Sequence, residues 1–134
     1  MARFIARRLV RERDGVTWVT YTPATDTQIH NVNILGGVQL ARDAKRSGSA
    51  GQAALARRAM EFSVGRIRED GFWPYGEAAN QGWVDSYHLG YNLVGLERYR
   101  EATGETWMDE ALARAYRYWD RRFVEPDGAP RHFA

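Results

Sequence analysis

A repeat limits what this chain can fold into more than any other feature. The dipeptide Asp-Gly occurs at Asp14-Gly15, Asp70-Gly71 and Asp127-Gly128, at spacings of 70 − 14 = 56 and 127 − 70 = 57 residues. Each follows an Arg-rich stretch with helical periodicity. At an offset of 57, Leu55, Ala59 and Phe62 fall on Leu112, Tyr116 and Trp119. These are i, i+4, i+7 positions, which share one helix face. Self-similarity of this kind marks stacked supersecondary units, each unable to bury its apolar face alone.

A helix is also predicted ahead of each of these two. Ile34, Val38 and Ala41 keep the i, i+4, i+7 spacing, and so do Leu89, Leu93 and Leu96. Asp26 and Asp85 are placed to cap them, and Asn33 and Asn92 match at the same offset of 59 (92 − 33 = 59). The unit is therefore helix, Gly turn, helix, Asp-Gly loop. Predicted helices run over 27–46, 52–69, 85–102 and 107–123. Gly48 and Gly104 stand where a helix end needs positive φ. Gly36-Gly37, Gly90 and Gly95 lie inside helical patterns and predict close approach of helices, since mid-helix glycine disfavours the helix by about 1 kcal/mol relative to Ala.

The start of the chain reads differently. Phe4 to Arg13 reads as the tail of a preceding second helix with its own Asp-Gly loop, and Val16–Tyr21 as a short strand or hairpin arm. The expected architecture is thus all-α: one domain over 1–134 of antiparallel helical hairpins, about two and a half in number. Residues 1–25 end a preceding hairpin, 26–82 form the first full one with its loop, and 83–134 form the second. Open ends of such a stack leave apolar faces uncovered. Self-association, or further repeats of a longer protein, is expected to cover them.

The richest stretch is Asp70–Asn92. It carries Trp73, Tyr75, Trp83, Tyr87 and Tyr91 among four glycines, with Asp85 and His88 in its second half. Asp85 and His88 are i and i+3 at a helix start, so they share a face. Asp85 caps the helix, and His88 is a candidate general acid or base near neutral pH. Tyr87 and Tyr91 are candidates to share that proton transfer. The plainer reading is a cap beside a half-buried ring bonded to a neighbouring loop. Trp73, Tyr75 and Trp83 suit a sugar platform, because pyranose faces present C–H groups to aromatic rings. The plainer reading of Trp73 is a plug between hairpins. Asn33 would bond hydroxyls, or brace its helix. Arg66 and Arg68 would meet a uronate carboxylate, or pair with Glu69 and Asp70. A hydrolytic carboxylate pair would need Asp26 and Asp85 to converge.

Composition removes other classes. The chain has no cysteine, which excludes disulfides and thiolate chemistry and suits a reducing compartment, so the expected location is cytoplasmic. No window approaches ~20 apolar residues, so no membrane span is expected. Net charge is +2, with arginine dispersed among Glu and Asp instead of striped on one face, so no nucleic-acid partner is expected. His30, His88 and His132 are far apart and no His-x-x-x-His occurs, so neither a metal nor another cofactor is expected.

Repeating hairpins of this period with aromatic Asp-Gly loops resemble the α/α-toroid, or six-hairpin glycosidase-like, proteins. The resemblance is nearest to a bacterial family associated with polysaccharide biosynthesis and to glucuronyl C5-epimerase C-terminal-like domains. It rests on Tyr21-Thr22-Pro23, Asn31-Val32-Asn33, Gly71-Phe72-Trp73-Pro74-Tyr75-Gly76 and Trp83-Val84-Asp85-Ser86-Tyr87-His88. It implies an incomplete toroid acting on a saccharide or uronic acid. The reaction would be hydrolase, lyase or epimerase chemistry at Asp85, His88 and Tyr87. Trp73, Tyr75, Trp83, Asn33 and Tyr91 would bind substrate. The alternative is a non-catalytic helical-repeat binding module. A terpenoid-cyclase fragment fits less well, because Arg66, Ile67 and Arg68 stand where that class places its bracing Gln.

Overall fold

The structure, a computed structural model, describes residues 1–133 and is mostly helical. A short helix α1 (Ala2–Phe4) continues as a π-helical turn over Ile5–Leu9. Strands β1 (Val10–Arg13) and β2 (Val16–Val19) follow, then helices α2 (His30–Ser47), α3 (Ala50–Val64), α4 (Ser86–Thr103) and α5 (Asp109–Phe123). The pairs α2–α3 and α4–α5 each fold back through a turn that begins with a left-handed glycine, Gly48 at φ 72° and Gly104 at φ 74°. Both glycines were predicted there, for the reason that only they adopt that conformation without strain.

The three Asp-Gly dipeptides are not one motif. At Asp70 and Asp127 the same turn recurs, bond for bond. The N–H groups of Phe72 and Ala129 donate to Asp70 Oδ1 (2.9 Å) and Asp127 Oδ1 (3.0 Å). Arg68 N–H reaches Phe72 O at 3.0 Å, and Glu125 N–H reaches Ala129 O at 2.8 Å. Gly71 and Gly128 have φ of 89° and 86°. At Asp14-Gly15 both residues have positive φ (53° and 77°), and the strands pair directly across them, Arg13 opposite Val16 and Val10 opposite Val19. This is a two-residue hairpin turn, which Asp-Gly favours between strands. The expected helix over Phe4–Arg13 therefore stops at Leu9, and its last four residues form β1. Pairing with β2 wins because it seats Trp18 and Val19 in the core, each 1% exposed.

Helix α2 is the centre of the packing. Its Ile34 and Leu40 join Met60 of α3, Leu89, Leu96 and Tyr99 of α4, and Met108 in one buried cluster. Its glycines let neighbours in. A Cβ on Gly36 would lie 2.6 Å from Val19 Cγ1, and one on Gly37 would lie 2.8 Å from Met60 Cε. A Cβ on Gly95 of α4 would collide with Ile34 Cγ2. Close approach thus explains three of the four predicted glycines, though Gly36 admits a strand instead of a helix. Gly90 meets only Trp119 Nε1, at 3.9 Å.

These contacts define an order. The buried positions of α4 (Leu89, Asn92, Leu93, Gly95, Leu96 and Tyr99) lie 59 residues after buried positions of α2, as Asn33 to Asn92 shows (92 − 33 = 59). Gly95 receives Ile34 of α2, and Gly36 receives Val19 of β2. The β-hairpin therefore stands to α2 as α2 stands to α4, and covers the face that was expected to lie open at this end. One atom records the difference. Asn33 Oδ1 accepts from Val19 N–H at 2.8 Å, whereas Asn92 Oδ1 is buried with no partner among the described residues. A strand edge has a free N–H to give; the middle of α2 has none, because helical N–H groups are already used.

Gly95→Ala is expected to destabilise the protein by about 2 kcal/mol in urea unfolding, since Ile34 must move in a packed core. Gly51→Ala, near the start of α3 with nothing within 4 Å, should be neutral or stabilising by about 0.5 kcal/mol.

Candidate functional site

The aromatic loop between α3 and α4 is a tongue fastened to the segment ahead of α2. His30 N–H donates to Tyr75 O (3.1 Å), Tyr75 N–H to Trp83 O (2.8 Å) and Glu77 N–H to Gln28 O (3.1 Å). Ile29 and Gly76 form an antiparallel bridge. At Gly76 a Cβ would meet Gln81 Oε1 at 2.5 Å and Gln28 O at 2.8 Å, so only glycine lets the two backbones lie this close. This bridge also replaces the expected cap. The helix begins at His30, not near Thr27, and Asp26 pairs instead with Arg11 at 2.8 Å and Arg13 at 3.9 Å.

Beneath the tongue lies a buried polar chain. His30, fully buried, has Nδ1 3.0 Å from Ser63 Oγ and Nε2 3.2 Å from Glu77 Oε1. Arg66 Nε donates to Glu77 Oε2 at 2.8 Å. Asn33 Nδ2 donates to Ala59 O (2.6 Å) and Ser63 Oγ (2.7 Å). The hydrogen bond from His30 holds the Glu77 carboxyl below its usual value; burial opposes this, and Arg66 reinforces it. Ser63, His30 and Glu77 resemble a nucleophilic triad only in residue type. Ser63 and His30 are both at 0% exposure, so no substrate reaches the hydroxyl. The chain is a pin that ties the tongue to α2 and α3. Trp73, 1% exposed with its ring 6.2 Å from His30, belongs to that pin.

The exposed end of the tongue carries the Asp85–His88 pair. Asp85 caps α4 as predicted: Oδ1 accepts from His88 N–H at 2.7 Å. Its Oδ2 lies 2.7 Å from His88 Nδ1. An ionised carboxylate only accepts, so Nδ1 carries a proton, and in the neutral imidazole Nε2 is the nitrogen with the free lone pair. Nε2 makes no hydrogen bond among the described residues. Asp85 is buried, and burial alone would raise its pKa. The His88 backbone N–H and imidazole, with Tyr87 N–H, outweigh that and hold it below its ordinary value of 3.8. Ser86 N–H donates to His132 O at 3.1 Å, so the first N–H groups of α4 are taken up by protein.

Aromatic rings surround this pair. Tyr75 and Trp83 stack at 4.4 Å and 11°. His88 stands edge-on to Tyr75 (4.7 Å), Trp83 (5.6 Å) and Tyr87 (6.1 Å). The Tyr91 hydroxyl donates to the Tyr87 hydroxyl at 3.0 Å. Trp83 is 41% exposed and Tyr87 59%. Burial, and then the Tyr21 hydroxyl, push the Tyr75 phenol above its ordinary value.

Of the residues singled out in the sequence, Asp85, His88, Tyr75, Trp83, Tyr87 and Tyr91 come together in one cluster. Trp73 and Asn33 do not join it; both are interior and brace the tongue from below. Asp26 is not at a helix start. Arg66 pairs with Glu77 and lies over the Phe62 ring (5.2 Å), and Arg68 lies over Phe72 (4.3 Å), so neither takes its expected partner. Sequence reading missed Ser63, Glu77 and Tyr21. Ser63 left a signal: it lies one turn after Ala59, a hydroxyl beside a face read as apolar. Glu77 left none, because its partner is 47 residues away. No group of three or more His, Asp or Glu side chains that would hold a metal ion occurs among the described residues, and no helix there is long and apolar enough to cross a membrane.

Comparison of the chain with protein-family models, with curated proteins and with solved structures finds no match in any of the three.

Asn33→Leu should cost about 3 kcal/mol in urea unfolding, because it strands Val19 N–H in the core and takes a donor from Ser63 Oγ. Asp85 has a depressed folded pKa, so its stabilisation is present above pH 3.8 and is lost as pH falls through the lower folded value. The difference in unfolding free energy between wild type and Asp85→Asn should therefore shrink as pH falls from about 5 to about 2.

Proposed function

We propose that the exposed end of the tongue is a saccharide-binding site at which His88 transfers a proton, within an α/α-toroid-like helical stack. The observation that carries this reading is the 2.7 Å contact between Asp85 and His88 Nδ1, with Asp85 buried and the His88 side chain 30% exposed. A buried carboxylate behind an imidazole fixes its tautomer and stabilises its cation, while the outer nitrogen accepts or returns a proton.

The saccharide class is argued from the walls. Trp83 offers a flat face supported from behind by Tyr75, and sugar rings present C–H groups to such faces. Tyr87, edge-on to His88, and Tyr91 add a linked pair of hydroxyls. Hydrolysis by two carboxylates fits less well, because Asp26 is occupied by Arg11 and Arg13. Elimination, in which one imidazole takes a proton from a ring carbon and gives it to the leaving oxygen, suits a single imidazole better. A second reading, binding without turnover, is favoured by the Trp83–Tyr75 stack alone, since a platform needs no proton-transfer group.

Titration with neutral and uronic-acid oligosaccharides, followed by tryptophan fluorescence, tests the binding. Trp83→Ala should weaken it about tenfold, near 1.4 kcal/mol. Among oligosaccharides that bind, one should be turned over, and His88→Ala should lower that rate by about a hundredfold or more while binding is kept. Binding with no turnover of any of them selects the second reading. No binding at all rejects both.

A further inference from the structure

The tongue has a shorter counterpart after α5. The Asp127 turn repeats the Asp70 turn, and around it the chain doubles back on itself. Val124 and Pro130 form an antiparallel bridge, and Arg131 N–H donates to Phe123 O at 2.7 Å. The segment then reaches the start of α4 as the tongue reaches the start of α2. His30 N–H donates to Tyr75 O at 3.1 Å, and Ser86 N–H donates to His132 O at 3.1 Å. Tyr75 and His132 are counterparts in the repeat (132 − 75 = 57). Residues 124–133 are thus a second tongue, one hairpin further along the stack.

The first turn of α4 therefore lies between two tongues. His88 stands edge-on to Tyr75 and Trp83 of the first, and Ser86 is bonded to the second. Successive helix residues point about 100° apart, so the exposed Tyr87 stands between them. The two tongues also carry their rings alike. Trp83 is exposed and stacked on Tyr75. Phe133 is 66% exposed, takes no part in the core, and lies 4.3 Å from the ring of His132, the counterpart of Tyr75.

We propose that the second tongue extends the saccharide site of the first, with Phe133 as a further platform, so that the ligand is an oligosaccharide chain and not a single sugar. The extension rests on the saccharide reading of the first tongue. Packed helices lie about 8–10 Å apart, so platforms one hairpin apart are both touched by a chain of about three pyranose rings. Sugar rings present C–H groups to Phe133 as they do to Trp83. His88 and Tyr87 lie between the two platforms, so His88 meets a linkage inside the chain and not one at its end.

Calorimetric titration of the whole chain with matched di- and tetrasaccharides of β-1,4-linked glucose and of glucuronic acid tests this. In the series that binds, the tetrasaccharide should bind about tenfold or more tighter than the disaccharide. Phe133→Ala should remove most of that gain, and Phe133→Trp should keep it. Trp83→Ala should weaken both lengths. Equal affinity for the two lengths, or a gain that survives Phe133→Ala, overturns the extension, while a loss in Trp83→Ala leaves the reading of the first tongue standing. Binding of neither series overturns both.

Discussion

Buried polar groups must find partners, and α2 meets that demand by drawing on every neighbour. Asn33 takes an N–H from β2 and gives its own to a carbonyl and a hydroxyl of α3. His30 takes Ser63 from α3 and Glu77 from the tongue. Remove these bonds and the hairpin, α3 and the tongue lose the contacts that set their places on one helix. Apolar burial supplies most of the driving force, but it is not directional. The buried bonds choose one arrangement among many compact ones, since a misplacement leaves them unmade in a medium where that is costly.

The same helix sets the place of the proposed site. The pin immobilises the inner half of the tongue, with Trp73 buried beside His30. That leaves Tyr75 and Trp83 at the outer end facing His88. Preorganisation of this sort is what an acid–base pair needs, because its geometry must exist before a substrate arrives. Glu105 plays a parallel part at the other end of the bundle. It accepts from Tyr99, Trp107 and Arg57 at 2.9, 2.7 and 2.8 Å, joining α3 to the turn before α5. Burial pushes its pKa up, and these three donors more than reverse that.

Much of the fold was legible along the chain, and for identifiable reasons. Gly48 and Gly104 announced helix ends because positive φ is a local property. Asp85 announced the start of α4 because its cap reaches only three residues on. The 57-residue echo at Asp70 and Asp127 predicted two identical turns, and the hydrogen bonds are identical. Failure came where local signals were ambiguous. Asp-Gly serves equally as a loop after a helix and as a hairpin turn, and only the pairing of Val10 with Val19 decides which. Asp26 had the residue type of a cap, but a carbonyl from the tongue was nearer. In the site, Asp85 and His88 could be paired from their spacing, whereas Trp73 and Trp83 could not be told apart: both are tryptophans in a glycine-rich loop, one 1% exposed and the other 41%.

By itself the sequence determined the helical repeat, its turns, the Asp85 cap and the aromatic richness of one loop, because each depends on residues within a turn or two of one another or on plain periodicity. Tertiary structure decided the rest. It made the first Asp-Gly a hairpin that covers α2, buried Trp73 and Asn33 as braces, and turned Trp83 outward beside His88. It also left Gly90 of α4 with no neighbour nearer than Trp119 Nε1 at 3.9 Å. Those outcomes turn on which surfaces meet across dozens of residues, and a contact of that kind has no signature until the chain has folded back on itself.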